Sequence, residues 1–304
     1  MKIKELQKNL ADDKDISFWP QADLSLYSSM RLAAQAPLAE VRSVEALTIL
    51  LKKLQQLELP YLVIGLGSNL VLKSEFEKIL IKISFPIDRA QFLQAKDFYH
   101  LPASTTLGSM TQAAIKHGLS GWQVFTGIPA SLGGAIAMNA GTELGEIGTI
   151  IREVTLLRRS GLIERITISQ SDIHRYFSYR QNHFLQDGDI ILSAVVTHEG
   201  LDPTIGSLIK EYLQKRAKTQ PLDKFTCGCV FKNFSTQIRA GKCIDLLNLK
   251  GLEYNGLRIS PIHGNFIENI QNGSSADFQI FVKIIQEELK LNFGVDFELE
   301  VVFS

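Results

Sequence analysis

Between Gly127 and Gly148 the chain carries six glycines mixed with alanines, and no charged side chain occurs before Glu143. Small side chains let backbone approach a flat partner closely, and glycine permits the φ > 0 turns that such an approach needs. A stretch so free of charge does not read as an exposed linker. It reads either as a cradle against a cofactor or as a glycine-rich hinge or close helix crossing. Residues on both sides of the belt decide what it serves.

Upstream, Val44, Leu47, Leu51 and Leu54 fall at helical spacing within Ser43–Leu59, and Pro60 closes the segment. Tyr61-Leu62-Val63-Ile64 is a continuous apolar run, the pattern of a strand buried on both faces. It enters Gly65-Leu66-Gly67-Ser68-Asn69, followed by short strand-like runs at 70–72 and 79–83. A dinucleotide fingerprint fails here, because its third glycine position is Leu70 and another strand follows where a helix is needed. Two readings stay open for Gly65 to Asn69: a plain turn, or an anion-binding nest of amides with Ser68 and Asn69 adding donors.

Downstream, strands are expected at Glu153–Leu157 and Ile190–Val196, and a boundary near Gly200-Leu201-Asp202-Pro203 precedes a basic helix from about 205 to 218. Ser274 and Asp277 have capping-box spacing. Ile280, Phe281, Ile284, Ile285 and Leu289 mark an apolar stripe, and Gly294 ends the helix. The chain then reads as a strand over Phe297–Val301, with Glu298 and Glu300 on one face. Strands and helices mix without strict alternation, which favours α+β.

Bulk numbers narrow the partners. Lysine plus arginine equals aspartate plus glutamate at 32 each, so no global field recruits nucleic acid or a membrane surface. No apolar stretch approaches the roughly 18 residues of a spanning helix. The N-terminus lacks a signal-peptide core. Cys227, Cys229 and Cys243 do not make a disulfide framework, and the lone C-x-C has no second pair to complete a zinc site. No metal is expected, and reduced thiols in a cytoplasm are. Among individual residues, Arg180 could clamp a carboxylate or phosphate or be a surface arginine. Cys229 could be a proton donor, a nucleophile or inert packing.

Taken in order from Tyr61 to Val302, seven motifs carry a resemblance. They are Gly65-x-Gly67-Ser68-Asn69; Gly127-Ile128-Pro129 with Gly133-Gly134-Ala135 and Met138-Asn139-Ala140-Gly141; and Tyr179-Arg180. After these come Gly228-Cys229-Val230-Phe231-Lys232-Asn233, Lys250-Gly251, His263-x-Asn265-Phe266, and Glu298-x-Glu300-Val301. Together they resemble the UDP-N-acetylenolpyruvoylglucosamine reductase family. Only 48 residues lie between Arg180 and Cys229, as in the shorter class that lacks an extra substrate-capping loop.

The resemblance implies an α+β fold, with an FAD-binding region of the vanillyl-alcohol and xanthine-dehydrogenase-like (PCMH) type and a smaller α+β substrate domain. The expected boundaries are 1–75 and 76–203 for two FAD-binding subdomains, 204–296 for the substrate domain, and 297–304 for a terminal strand carrying Glu300. It implies FAD and NADPH as cofactors and a UDP-sugar substrate. FAD would be held by Gly65, Gly67, Ser68 and Asn69 and by Gly127, Ile128, Pro129, Gly133, Gly134, Ala135, Met138 and Asn139. Tyr179, Lys218, Lys232, Asn233 and His263 would approach the substrate. Arg180 and Glu300 would stabilise charge on the enolpyruvyl carboxylate, and Cys229 would protonate C2. The sequence departs from the family pattern at Cys229, where serine is usual, and at Ala130, Phe234 and Gly264. The competing reading is a flavin oxidase of the same FAD-binding superfamily. Oligomeric state is not legible.

Overall fold

Ser43 sits in extended backbone and accepts the amide of Ala46 at 3.2 Å, so the helix Val44–Gln56 starts where a capping serine can satisfy an end donor. Ala46, Leu47, Leu50 and Leu54 are its buried residues, one step round from the expected stripe, and Leu51 is half-buried. The structure is a computed structural model and describes every residue from Met1 to Ser304.

Two compact units share the chain by interleaving. The first comprises Met1–Pro20, Leu38–Gly65 and Ile79–Gln214; the second comprises Gln21–Pro37, Leu66–Lys78 and Lys215–Ser304. These units do not follow linear boundaries at 75, 203 and 296. One cause is the strand Leu70–Val71, which pairs in parallel with Val302–Phe303 and so belongs with the C-terminal region. At the other end, the helix Ile205–Thr219 begins near the expected break but runs through the division at 214 and 215.

The first unit holds two four-stranded sheets. One orders its strands Ile16–Asp23, Gln35–Val41, Ile79–Ile83 and Tyr61–Ile64, with the last three parallel. Tyr61–Ile64 is an edge strand there, so only Ile64 of its four residues is buried, in place of the two-sided burial its composition suggested. The other sheet is antiparallel, in the order Ile163–Thr167, Ile151–Leu157, Ile190–Thr197 and Phe98–Pro102. Trp122, Tyr99 and Phe125, all nearly inaccessible, anchor the core beneath it.

The second unit is built on an antiparallel sheet of Thr226–Cys229, Phe266–Asn269, Leu257–Ile259 and Glu253–Tyr254. The helix Ser275–Phe293 covers it through Phe278, Phe281, Val282, Ile285 and Leu289. Its capping box of Ser274 and Asp277 is complete, and Gly294 ends it in the left-handed conformation. Ile280 and Ile284, expected in the stripe, lie beside it and are exposed. The strand expected at Phe297–Val301 is irregular chain with a single bridge, from Leu299 to Phe231, and regular pairing begins only at Val302. No helix is long and apolar enough to cross a membrane.

Candidate functional site

In the first unit the two glycine loops meet. A Cβ on Gly65 would lie 2.4 Å from the Ser131 hydroxyl, so a side chain there would have to push that hydroxyl away where the strand end turns past the second loop. Ser131 is the N-cap of the short helix Leu132–Ala137 and accepts the amide of Gly134 at 3.3 Å. Around Gly134 a Cβ would find only Ser131 and Gly65 within 4 Å, so Gly65 and Gly134 form a shallow surface of bare backbone. Gly127, with φ of +72°, Ile128 and Pro129 make the loop that leads into this helix. A backbone surface of this kind fits the close approach of FAD.

Several residues of the belt are taken up by the protein itself. Gly133 and Ala135 are buried, and Ala135 packs in the hydrophobic core. Asn139 is 1% exposed. Its amide nitrogen donates to Glu146 Oε2 at 2.7 Å and to the Ser178 carbonyl at 3.0 Å, and its oxygen accepts from Gly148 N at 3.1 Å. The side chain is a strut within the protein. Met138 is half-buried.

Tyr179 and Arg180 close a hairpin in which Phe177 and Ser178 pair with Asn182 and Gln181. The guanidinium lies over the Tyr179 ring at 4.9 Å, donates to the Gly141 carbonyl at 2.9 Å, and stands 3.9 Å from Glu146. Its side chain is 15% exposed, a well-held cation on a partly open surface. Tyr179 itself is exposed.

In the second unit, Gly67, with φ of +64°, turns the chain ahead of Ser68 and Asn69. The Asn69 amide donates to the carbonyl of Glu300 at 2.9 Å, and the amide of Glu300 donates to the carbonyl of Val230 at 2.8 Å. Glu300 is therefore fastened on both sides, next in space to the residue that follows Cys229. Glu298 takes a different course: 78% exposed, it pairs with Lys232 at 3.0 Å. Strand alternation would have put both carboxylates on one face. What distinguishes them here is exposure: Glu298 is exposed and paired with Lys232, and Glu300 is half-buried.

Cys229 ends the strand Thr226–Cys229 beyond a bulge. Thr226 faces Glu268 and Cys229 faces Phe266, three steps against two, and Gly228 absorbs the extra residue with φ of +78°. In a regular strand Cys227 and Cys229 would share a face. Here Cys227 is buried while Cys229 is half-exposed. Burial pushes the Cys227 thiol up to about 12, so it stays protonated and inert. Asn265, which the sequence offered only as part of a loop motif, accepts from Phe231 N at 3.0 Å and donates to Phe231 O at 2.8 Å, fixing the segment after Cys229.

The remaining substrate candidates are less concentrated. Asn233 is exposed, and its oxygen accepts the amide of Ala240 at 3.2 Å, capping the next helix. His263 packs edge-on to Phe266 at 4.8 Å; burial, and then the charge of Lys250, hold its imidazole below the ordinary histidine range. Lys218 is exposed in the last turn of the helix Ile205–Thr219.

Comparison with known proteins agrees with both units. Residues 36–167 match a family model described as FAD binding domain, and residues 220–304 match UDP-N-acetylenolpyruvoylglucosamine reductase, C-terminal domain. The chain is 31% identical to the UDP-N-acetylenolpyruvoylglucosamine reductase of Chlamydia pneumoniae, over 91% of this chain and 89% of that one. It is 29% identical to the enzyme of the same name from Streptococcus pneumoniae strain 70585, over 99% and 98% of the two chains. Among solved structures, UDP-N-acetylenolpyruvylglucosamine reductase from Thermus caldophilus superposes with a TM-score of 0.78 at 29% identity, covering 95% of this chain and 99% of that one.

Proposed function

The chain belongs to the UDP-N-acetylenolpyruvoylglucosamine reductase family, and on that premise we propose that Arg180, Cys229 and Glu300 carry the reduction of the enolpyruvyl group. It is an FAD-dependent oxidoreductase of peptidoglycan precursor synthesis, using NADPH as reductant. The substrate is a UDP-sugar, UDP-N-acetylenolpyruvoylglucosamine. Bound FAD would supply the hydride chemistry, with C3 of the enolpyruvyl group as acceptor.

The protein's own residues manage the charge and the proton. Hydride addition leaves an electron pair at C2 that spreads onto the adjoining carboxylate, so negative charge there grows toward the transition state. Arg180 receives that carboxylate. A guanidinium already fixed in place binds the developing charge more strongly than the ground state, and this difference lowers the barrier. Cys229 gives its proton to C2, completing the saturated product. Glu300, in its protonated form, would donate a hydrogen bond to the substrate carboxylate, from a backbone held at its amide and carbonyl. Gly65 and Gly134 would hold FAD, and Lys232 would approach the nucleotide part of the substrate. The reaction takes place in the cytoplasm, consistent with three cysteines that form no disulfide.

One observation carries the reading: Glu300 is fastened at its amide to Val230, beside Cys229, and at its carbonyl to Asn69. The segment pinned this way sets Glu300 beside the residue that follows Cys229, while Glu298 pairs with Lys232. Anaerobic mixing tests the activity. NADPH should bleach the yellow holoenzyme, and UDP-N-acetylenolpyruvoylglucosamine should restore its colour without oxygen. A flavin recoloured only by oxygen would point to the oxidase reading instead.

A further inference from the structure

Arg180 is the second residue of a two-residue turn between Ser178 and Gln181, and its φ is +58°. Glycine or asparagine usually fills such a position, and a larger residue there costs about 1–3 kcal/mol. A strained residue persists only where its surroundings hold it, and here they are specific. A second hairpin, Gly141–Thr142 against Gly145–Glu146, supplies two partners of the guanidinium, the Gly141 carbonyl and the Glu146 carboxylate.

Glu146 is itself held. Its Oε2 accepts from Asn139 at 2.7 Å, and the same amide reaches Ser178 in the hairpin that carries Arg180. Asn182 of that hairpin donates to the Ala137 carbonyl, a second tie to the glycine belt. The two hairpins can close on Asn139 because Gly148 has no side chain: a Cβ there would lie 2.7 Å from the Phe177 ring. One buried asparagine thus fixes both the backbone that presents the arginine and the carboxylate that meets it.

We propose that Glu146, locked by Asn139, is a positioning residue that sets the orientation of the Arg180 guanidinium. The proposal rests on the reading of Arg180 as the group that receives the substrate carboxylate. Glu146 acts through Arg180 and supplies no proton. With its charge removed, Arg180 keeps the Gly141 contact and loses its ionic anchor, so the fork must find its orientation again in each turnover. That cost falls on the step in which carboxylate charge grows, and not on binding of the flavin or its reduction by NADPH.

The test uses the flavin-loaded enzyme as wild type, Glu146→Gln, Arg180→Lys and the double variant. Flavin content, Tm and the two anaerobic half-reactions are measured for each. Glu146→Gln should slow flavin reoxidation by saturating enolpyruvyl substrate about 10-fold, equivalent to about 1.4 kcal/mol. Its flavin content, Tm and reduction by NADPH should match wild type. In the Arg180→Lys background the same change should cost less than about 2-fold, because its target is gone. An equal factor in both backgrounds, equal slowing of both half-reactions, or lost flavin would each overturn the proposal. Arg180→Lys slow beside a normal Glu146→Gln would overturn the role of Glu146 alone. Arg180→Lys reoxidised at the wild-type rate would overturn the reading of Arg180 as well.

Discussion

Arg180 and Cys229 are both delivered by backbone in the left-handed region, the arginine by its own φ of +58° and the cysteine by Gly228 just before it, at +78°. The means differ with the size of the group delivered. Arg180 is long, so its direction is decided beyond the backbone, by Gly141, Glu146 and the Tyr179 ring. Cys229 reaches only one bond past its Cβ, so its direction is decided by the strand, through a bulge that leaves Cys227 in the core. A long side chain can thus be misaimed by cutting a remote contact, whereas a short one is misaimed only by moving the chain.

The largest expected effect comes from the short group. Cys229→Ala should reduce the enolpyruvyl substrate ~10²–10⁴-fold more slowly, the usual scale for a lost general acid. Cys229→Ser should remain active, since a hydroxyl can give the same proton. An alkylating reagent should inactivate wild type and spare the serine variant, because burial raises the thiols of Cys227 and Cys243. Inactivation of the serine variant at the wild-type rate would place the sensitive thiol elsewhere.

Arg180→Gly tests the other side. Relief of about 1 kcal/mol of backbone strain offsets the lost contacts, so Tm should stay near wild type while substrate reduction falls at least 10-fold, about 1.4 kcal/mol in the barrier. A fall in Tm with undiminished turnover would assign the arginine to the fold.

The smallest effect concerns His263. Its imidazole is held below the ordinary value of about 6.5 in the folded state, so the unfolded chain takes up the proton first as pH falls. Stability from this group is complete above about pH 6.5 and is lost as the pH drops below it. His263→Gln should flatten that part of the stability curve, measured by denaturant unfolding at several pH values. An unchanged slope would contradict the assignment.

How much of this was legible depended on how local each signal was. The Ser274–Asp277 capping box, the Gly294 stop and the strand Ile79–Ile83 were readable because their causes lie within a few residues. The glycine belt was legible as a functional stretch but not in its parts. Gly65 and Gly134 face one another, while Gly148 faces Phe177, and nothing in the spacing distinguishes a glycine kept for a ligand from one kept for a neighbouring hairpin. Asn139 read as a cofactor contact for the same reason. Its partners, Glu146 and Ser178, are set by tertiary pairing. The terminal segment was legible only as extended chain, because alternation in Phe297–Val301 is also met by a segment anchored at single points whose partners, Asn69, Val230 and Phe231, lie far away in sequence.

On the proposed roles, Arg180 and Cys229 act after the flavin is reduced and not before. Rapid anaerobic mixing of Arg180→Lys and Cys229→Ala with NADPH, then with UDP-N-acetylenolpyruvoylglucosamine, measures this directly through the flavin absorbance. Bleaching by NADPH should proceed at the wild-type rate in both variants, and colour should return slowly with the enolpyruvyl substrate. Bleaching slowed by the same factor as recolouring would contradict those roles and make both residues supports of the flavin.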